Sequence, residues 1–270
     1  MNIKRILTRR KFLSRTAAGA MSVPYLIPRS VLAAPEKPGA NDRIAVGFVG
    51  CGGRAGQLMD QLPSVGRIVA VADCEKSRAA TAAAKLGIGP ENVYQSHRPI
   101  LDRKDVDAVF VATMDHARVL PSIEACRAGK DVYAEKPLTV CIAEGRALVN
   151  AVRKYKRIFQ VGSQQRTMEM NQFACRLVRE GGIGNLHTVL CVNYPGPARY
   201  TSLLRQPMPA DFNWDLWQNQ VEHRPYNSRL HRGWMGWRAY SGGEMTNWGA
   251  HGLDQIQWAL GASHAGPLEL

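Results

Sequence analysis

The chain has 270 residues, of which 45% are hydrophobic and 21% charged, an ordinary globular composition with room for one or two domains. Its net charge of +13 is concentrated at the start, because residues 1–34 hold seven of the 35 basic residues and no acidic one. The remaining 28 basic and 22 acidic residues give +6 and form no basic stripe interleaved with aromatic residues, which argues against a nucleic-acid partner.

Residues 1–34 have the form of a targeting segment, with a basic start, a mild apolar run and small residues at the end. Two adjacent arginines, Arg9 and Arg10, precede Lys-Phe-Leu and resemble a twin-arginine export signal. That route carries folded proteins, so we expect a periplasmic or otherwise exported protein. The apolar run contains Pro24 and is too short to span a bilayer, so no stable membrane insertion is expected. The alternative is a basic start without a targeting role.

The first predicted strand, residues 44–50, is a β-branched apolar run that leads into GCGGRA (residues 50–55), a G-x-G-x-x-A sequence. Gly50 allows a tight turn, Gly52 lets the backbone approach a pyrophosphate, and Ala55 is small enough for helix–strand packing. The following helix N-terminus offers unpaired N–H groups to the phosphate charge. The loop predicts a dinucleotide site; the alternative is a glycine-rich structural turn. The predicted phosphate-binding residues are Gly50, Gly52, Gly53, Arg54 and Ala55.

The second predicted strand, residues 67–73, ends in Asp73, 21 residues after Gly52. A carboxylate there can accept hydrogen bonds from both ribose hydroxyls of a dinucleotide, and it repels a 2′-phosphate. We therefore expect NAD as the cofactor and NADP as the less favoured one. Arg54 and Arg78 are nearby cations that weaken this preference.

Strands and helices alternate through the first half of the chain. Predicted helices cover residues 54–62, 75–86, 120–128 and 142–155, and further strands cover residues 107–113, 131–135 and 158–161. Such alternation predicts the α/β class, with a doubly wound parallel sheet and helices on both faces. We assign residues 42–165 to this Rossmann-type, NAD(P)-binding domain.

The strand at residues 131–135 ends in Glu135-Lys136-Pro137. Pro137 keeps Lys136 out of helical geometry, so its side chain projects at the sheet edge where open α/β sheets bind ligands. A lysine beside a positively charged nicotinamide has a lowered pKa and can help to remove a proton from a substrate hydroxyl. The alternative is a solvated lysine before a turn.

The pattern changes after residue 165. Residues 171–179 are predicted as a helix and residues 186–193 as a strand, followed by a loop-rich stretch over residues 194–243. Its aromatic faces can stack on sugars and its arginines can bond hydroxyls, so the stretch is either a substrate pocket or an oligomer contact. Its candidate substrate-binding residues are Arg224, Trp237 and Arg238. The sequence stops in what looks like another strand, so we expect the substrate and oligomerisation domain, residues 166–270, to be incomplete.

Three separated motifs resemble, in order, those of the Gfo/Idh/MocA oxidoreductase family, which includes glucose-fructose oxidoreductase and inositol dehydrogenase. They are GCGGRA, the tripeptide EKP (residues 135–137) and GGEMTNWGAHGLD (residues 242–254). The sequences NWDLW, RPYN and GWR resemble its exported, twin-arginine branch. The resemblance implies a Rossmann domain followed by an α/β domain with an open, mainly antiparallel sheet. It also implies NAD(P)-dependent hydride exchange with a sugar or cyclitol, and a homo-oligomer for a full-length form.

The resemblance implies roles for residues that match the family motifs. Lys136 matches a lysine that orients substrate and assists proton transfer, and His251 matches a histidine that is a candidate acid/base. The family has an aspartate four residues before that histidine, where this chain has Asn247. An amide does not exchange a proton near neutral pH, so Asn247 is expected only to position substrate. Two alternatives follow for the activity: either Lys136 and His251 are sufficient for proton transfer, or the activity is lowered or absent. Asp254, placed with Asn247 in the substrate-binding set, either orients His251 or is a charge near a helix N-terminus.

The family often has Thr-Pro at the end of the strand predicted for residues 107–113, and a histidine five residues beyond that threonine. This chain departs from both and has Arg118 in place of the histidine. The strand end still places Thr113 and His116 near the cofactor; for His116 a structural role, or one behind the directly contacting residues, is favoured over direct cofactor binding. The predicted cofactor-binding set is completed by Glu135 and Lys136.

The leading hypothesis is an NAD(P)-dependent oxidoreductase that acts on a CH–OH group of a carbohydrate or cyclitol. One alternative is an NAD-dependent glycoside hydrolase, because one relative oxidises its sugar transiently, eliminates the aglycone and restores the hydride. Another is a sugar-binding protein with a degenerate site, which Asn247 and Arg118 support. The six cysteines lack C-x-x-C spacing and are expected to be free thiols, and no metal-ligand motif is present.

Overall fold

The computed structural model describes residue 39 and residues 42–266, so the export segment predicted for residues 1–34 lies outside the described residues. The chain divides into two compact units, Met1–Arg43 and Ile44–Leu270, and the features below all belong to the second. In the part of the chain that the structure describes, no helix is long and apolar enough to cross a membrane.

The centre of this unit is a six-stranded parallel sheet with strand order β3-β2-β1-β4-β5-β6. Its strands are β1 (Ile44–Val49), β2 (Gly66–Ala72), β3 (Val93–Tyr94), β4 (Ala108–Val111), β5 (Asp131–Glu135) and β6 (Phe159–Gly162). Strand β1 pairs with β2 on one side and β4 on the other, so Phe48 lies opposite both Val71 and Phe110. The strand order reverses beside β1, which is where such sheets bind ligands at the carboxyl ends of their strands.

Helices cover both faces of this sheet. They are α1 (Gly53–Asp60), α2 (Lys76–Leu86), α3 (Arg98–Asp102), α4 (Val119–Arg127) and α5 (Ile142–Tyr155). One buried cluster joins α1 and α2 to the sheet through Phe48, Ala55 and Ala79, and another joins α3 and α4 to it through Ile100 and Ala125. The predicted α/β class and parallel sheet are confirmed. Strand β3 and helix α3 were not predicted, and the ends predicted for the other strands and helices of this unit differ from the observed ones by no more than two residues.

Beyond β6 the described residues form helices and isolated bridges but no sheet. The helices are α6 (Glu169–Arg179), α7 (Trp214–Gln218), α8 (Ser228–Arg232) and α9 (Glu244–Ala259). The strand predicted for residues 186–193 is wrong, because this segment has no neighbouring strand to share its backbone hydrogen bonds. Its Leu190 and Val192 side chains are 87% and 93% exposed. The open, mainly antiparallel sheet expected for the second domain is likewise not formed by the described residues.

The loop-rich stretch folds around a buried aromatic cluster. Its members are Phe212, Trp214, Trp217, Tyr226, Leu230, Trp237 and Tyr240. The rings of Trp214 and Trp217 stack with their centroids 4.5 Å apart. The Asn213 amide donates to the Cys74 carbonyl at 2.9 Å, so the stretch returns to the carboxyl edge of the parallel sheet. There it closes one side of a cleft.

Candidate active site

The cleft at the carboxyl edge of the sheet has a volume of about 630 Å³, within the range of small-molecule sites. One side, the sheet wall, is made by the glycine loop (residues 50–54) and by residues that follow β2, β4 and β5. The other side, the aromatic wall, is made by α7, the turn after it, Trp234 and Met235. Asn247 of α9 also lies on the cleft.

The glycine loop fills the turn between β1 and α1. Gly50 has a φ of +89°, and a Cβ there would lie 2.7 Å from the Ala112 carbonyl oxygen, so any other residue would be strained. A Cβ on Gly52 or Gly53 would meet no protein atom within 4 Å. Ala55, in the first turn of α1, is fully buried against the sheet. The loop therefore presents bare backbone to the cleft at the start of an eight-residue helix.

Asp73 follows β2 and is buried on the cleft wall. Its Oδ2 accepts from the Cys51 amide at 2.8 Å and its Oδ1 from the Glu75 amide at 2.9 Å, so this carboxylate fastens the glycine loop to the turn after β2. Arg78 lies 3.8 Å from the same carboxylate and also donates to Glu75. Burial, with the Asp73 charge, raises the pKa of the Cys51 thiol to about 12, so this thiol stays neutral at the edge of the site.

These features fit an adenine dinucleotide. The open space beside Gly52 and Gly53 leaves room for a pyrophosphate, and the first N–H groups of α1 have no acceptor within the helix. Asp73 Oδ2 accepts one hydrogen bond, from the Cys51 amide, and a carboxylate oxygen can accept two, so a lone pair remains for a ribose hydroxyl. The residues that would hold the cofactor are Gly52, Gly53, Arg54 and Asp73.

Arg54, Glu135 and Thr113 lie together on the sheet wall. Arg54 Nε donates to Glu135 Oε1 at 2.8 Å, and this ion pair links the first turn of α1 to the end of β5. Thr113 Oγ1 donates to the Ala117 carbonyl at 2.7 Å and so closes the turn after β4. The structure therefore brings these three predicted cofactor-binding residues to one surface.

Lys136 stands at the end of β5 and contacts α9. Its Nζ donates to Asn247 Oδ1 at 2.6 Å and to the Asn247 carbonyl at 3.3 Å. Asn247 Nδ2 donates to Glu244 Oε2 at 3.0 Å, and this bond turns the amide oxygen toward the lysine. Burial lowers the pKa of Lys136, although the carboxylates of Glu135 and Asp115 act against that change. More of this lysine is therefore in the free-base form near neutral pH than for a solvated lysine.

His251 lies one helical turn after Asn247 and is buried behind the cleft wall. Burial lowers its pKa, and the charge of Lys136 lowers it further, so the imidazole is neutral at neutral pH. Among the described residues no hydrogen bond joins Asp254 to His251, and the two Asp254 oxygens accept from Arg166 at 2.7 and 2.8 Å. This pair lies away from the cleft, so the substrate contact predicted for Asp254 does not fit its position.

An ion pair that lines the cleft was not among the predicted site residues. Asp115 and Arg118 are 2% and 3% exposed, and Arg118 Nη1 lies 3.3 Å from Asp115 Oδ1. Burial raises the pKa of Asp115 and lowers that of Arg118, and their mutual attraction opposes both changes. The signal that could have found the pair is the acid-x-x-Arg spacing in MDHAR, directly after a strand end.

His116 requires a correction, because its side chain does not reach the cleft. It is 1% exposed between the rings of Trp217 and Tyr240, and its Nε2 donates to the Trp217 carbonyl at 2.7 Å. Burial lowers its pKa to about 4. This position fits the structural alternative and not direct cofactor binding.

Arg224, Trp237 and Arg238 also lie away from the cleft, contrary to the predicted substrate contacts. The Arg224 guanidinium packs over the Tyr200 ring at 4.1 Å. Trp237 is buried in the aromatic cluster, and Arg238 is exposed outside it. The polar and aromatic groups that this stretch does bring to the cleft are Asp215, Trp217, Asn219, Gln220 and Trp234.

Comparison with known proteins gives matches over both halves of the chain. Residues 44–163 match the model described as "Oxidoreductase family, NAD-binding Rossmann fold", and residues 197–270 match "Oxidoreductase family, C-terminal alpha/beta domain". The chain is 27% identical over 220 residues to the rhizopine catabolism protein MocA of Rhizobium meliloti, a match that covers 81% of this chain and 58% of that protein. It is 31% identical over 151 residues to an inositol 2-dehydrogenase of Rubrobacter xylanophilus, which covers 54% of this chain and 42% of that one.

Among solved structures, an NAD-binding protein from Listeria innocua has a similar fold, with a TM-score of 0.57 and 22% sequence identity over 80% of this chain and 52% of that one. The chain thus spans about half the length of the relatives that it matches. The two matched models are the N-terminal and C-terminal domains of one family and follow each other in the same order here, so the chain belongs to the Gfo/Idh/MocA oxidoreductase family.

Proposed function

We propose that this chain is the cofactor-binding and proton-transfer part of an NAD-dependent oxidoreductase that interconverts a secondary hydroxyl and a ketone on a sugar or cyclitol. The observation that carries the proposal is the contact of Lys136 Nζ with Asn247 Oδ1 at 2.6 Å, on the cleft that the glycine loop and Asp73 also line. A proton-accepting amine and a dinucleotide cradle therefore share one cavity. The inositol 2-dehydrogenase similarity supports a polyhydroxylated substrate.

Each residue has a defined part in this proposal. The backbone at Gly52 and Gly53 holds the pyrophosphate, and Asp73 holds the ribose. When bound, the cofactor supplies hydride transfer to or from the reacting carbon. Lys136, as the free base, takes the proton of the substrate hydroxyl at Nζ, and in the reverse direction it returns that proton to the carbonyl oxygen. Asn247 holds Lys136 Nζ in place, because Asn247 Oδ1 accepts a hydrogen bond from it.

His251 supports this step from behind the cleft wall. The imidazole of His251 lies near Lys136 and is neutral, so it places no positive charge beside the amine. In this form His251 does not lower the pKa of Lys136. A proton on His251 would repel the protonated Lys136. We therefore propose that His251 acts on the reaction through Lys136 and not by direct contact with substrate.

A cofactor titration and a substrate panel test the proposal. We expect NAD to bind, and its nicotinamide absorbance to change with at least one cyclitol or sugar in a panel of unphosphorylated polyols. Lys136→Ala is expected to keep NAD affinity within about twofold and to lose on the order of 10²–10⁴-fold in turnover. Lys85→Ala is the matched control, because Lys85 is an exposed lysine paired with Asp60 on the surface. Full activity of Lys136→Ala, or cleavage of glycosides without net redox change, would contradict the proposal.

The same site supports a preference for NAD over NADP. A 2′-phosphate would face the buried Asp73 carboxylate, while Arg78, the nearest cation to it, donates to Glu75. We expect Asp73→Asn to reduce the ratio of the NADP dissociation constant to the NAD dissociation constant by about tenfold, because the carboxylate no longer repels the 2′-phosphate. Titration with each dinucleotide measures the two constants. The control is Asp60→Asn, which removes an exposed carboxylate distant from the cleft and should leave the ratio unchanged. An unchanged ratio in Asp73→Asn would show that another group sets the preference.

We further propose that residues 1–34 direct export of the folded, NAD-loaded protein. Arg9 and Arg10 with the following Lys-Phe-Leu support this proposal, because they match a route that carries folded cargo. The test is cell fractionation of the full chain against Arg9→Lys/Arg10→Lys, which keeps the charge. Retention of the variant in the cytoplasm is expected, and equal export of both forms would contradict the proposal.

A further inference from the structure

The Asp115–Arg118 ion pair connects three elements that meet at the cleft. Arg118 Nη1 donates to the Pro137 carbonyl and its Nη2 donates to the Thr113 carbonyl. Thr113 follows β4, and Pro137 directly follows Lys136 at the end of β5. One buried guanidinium therefore holds the ends of two neighbouring strands at a fixed separation.

Asp115 extends the connection to α9. Its Oδ2 accepts from the Ser241 hydroxyl at 2.7 Å, and the same hydroxyl oxygen accepts from the Gly243 amide at 2.9 Å. Gly243 precedes the first residue of α9, and Asn247 lies in the first turns of that helix. The helix that carries the partner of Lys136 is thus anchored to the loop after β4.

We propose, on the basis of the function proposed above, that Asp115 and Arg118 are positioning residues that hold Lys136 against Asn247 and balance the charge around Nζ. Neither residue needs to touch substrate for this role. Both side chains are almost completely buried; Arg118 donates to the backbone carbonyls of Thr113 and Pro137, and Asp115 accepts from the Ser241 hydroxyl before α9. A buried pair of opposite charges can hold such an arrangement, because removal of either partner leaves an uncompensated charge.

The pair also has opposite electrostatic effects on Lys136. The groups that act on this amine are Glu135 of β5, Asp115 and Arg118 from the loop after β4, Arg54 of α1, and His251 of α9. The two carboxylates raise the pKa of Lys136, and the two guanidinium groups lower it. Asp115→Asn should therefore lower the pKa of Lys136, and Arg118→Gln should raise it. General loosening of the fold would not produce opposite changes.

The experiment measures the pKa of Lys136 without any need for turnover. The full chain with NAD is treated with a trace acylating reagent across a pH series, and acylation of Lys136 is quantified by mass spectrometry. The exposed Lys85 in the same sample is the internal reference. We expect a decrease of about one pH unit in Asp115→Asn and a similar increase in Arg118→Gln. Arg118→Lys, which keeps the charge, should remain near the wild type.

A double variant covers the case in which a single variant does not fold. Asp115→Asn/Arg118→Gln removes both charges and should bring the pKa of Lys136 back to within a few tenths of a pH unit of the wild type. Ser241→Ala, which cuts only the link to α9, should leave this pKa unchanged and lower kcat about tenfold at constant KM. Shifts of the same sign in both single variants, or no shift in any folded variant, would overturn the proposal. Opposite shifts without turnover on any polyol would instead keep the positioning role and reject the proposed function.

Discussion

The two walls of the cleft are built in different ways. The sheet wall continues from parallel strands whose backbone groups pair along the sheet, from Ile44 opposite Gly66 to Glu135 opposite Gly162, with one register shift between Val46 and Gly47. The aromatic wall has no sheet beneath it among the described residues; it rests on ring contacts and on single hydrogen bonds such as that from the Asn213 amide to the Cys74 carbonyl. The sheet wall is therefore held by repeated backbone pairing between strands, and the aromatic wall is held by individual side-chain and backbone contacts.

This difference assigns separate tasks to the two walls. The sheet wall holds the groups whose geometry must be constant, namely the glycine loop, Asp73 and Lys136. The aromatic wall brings other side chains to the cleft, among them Trp217, Asn219 and Gln220. We therefore expect damage to the aromatic wall to remain local, and damage to the sheet wall to reach the cofactor site directly.

The variant expected to have the largest effect on this comparison of the two walls is Trp217→Ala. Trp217 is 2% exposed and contacts Trp214, Tyr240 and His116, so its loss removes both burial and ring contacts. We expect a local free-energy cost of about 3–5 kcal/mol. Hydrogen exchange should accelerate over residues 214–240 while β1, β2 and β4 remain protected.

The control for this experiment is Phe48→Ala, a fully buried ring on β1. Its loss creates a cavity beneath the sheet wall, so protection should fall across the whole sheet. The comparison of the walls fails if Trp217→Ala also removes protection from β1. It fails equally if Phe48→Ala affects only the helix α1.

The next largest effect is a pH dependence of the aromatic wall. His116 packs behind this wall, against Trp217 and Tyr240, and has a pKa of about 4, below the ordinary 6.5, because burial disfavours its charged form. Between these values the unfolded state binds more protons than the folded state, so the free energy of unfolding is complete above pH 6.5 and decreases as the pH falls toward 4. The loss is on the order of 3 kcal/mol for this group.

Local hydrogen exchange over residues 214–240 from pH 7 to pH 4 measures this effect, after correction for the intrinsic rate. His116→Gln should flatten the dependence but not remove it, because burial also lowers the pKa of His231, which stacks on Phe212 of the same aromatic cluster, to about 4. An unchanged slope in His116→Gln would show that His116 is already protonated in the folded state.

The sheet wall could be predicted from the sequence because its signals are local. The apolar run before Gly50, the acid at the end of β2 and the lysine before Pro137 each describe a strand end within a few residues. The aromatic wall could not, since no short pattern shows that His116 lies under Trp217, about a hundred residues further along the chain. Arg224 and Trp237 illustrate the same limit, because their composition fits a sugar pocket and their packing places them elsewhere.

The candidate site contains residues that could be predicted from the sequence and residues that could not. Lys136 and Asn247 are 111 positions apart, and motif resemblance brought them together before the structure did. Glu244 and the Asp115–Arg118 pair were missed, because their importance depends on which side chains they contact in three dimensions. The residues 186–193 show the reverse, since a strand-like pattern does not form a strand without a neighbour.

Two glycine variants on the sheet wall should have smaller effects, and together they separate the contribution of the loop to folding from its contribution to cofactor binding. Gly50→Ala places a Cβ 2.7 Å from the Ala112 carbonyl at a φ of +89°, so we expect a loss of about 1–3 kcal/mol in the free energy of unfolding. Gly52→Ala meets no protein atom and should keep its stability to within about 0.5 kcal/mol while NAD affinity falls. Chemical denaturation and NAD titration of both variants measure the two effects. Equal stability losses would show that the loop is strained throughout.

The smallest expected effect lies where the sheet wall meets α9, at Asn247→Asp. The new carboxylate would replace an amide oxygen 2.6 Å from Lys136 Nζ and stabilise the charged amine, so the pKa of Lys136 should rise by about one pH unit. Activity should fall near neutral pH and recover at higher pH, as a pH–rate profile of the polyol oxidation would show. Asn247→Ala removes the acceptor without adding charge and should lower the rate at every pH without moving the profile. Asn247→Asp/Glu244→Gln keeps the net charge of the wild type and moves the carboxylate next to the amine, so it should still shift the profile upward. A shift in the single variant that disappears in this double variant would mean that net charge on α9, and not contact with Lys136, controls the proton affinity of the amine.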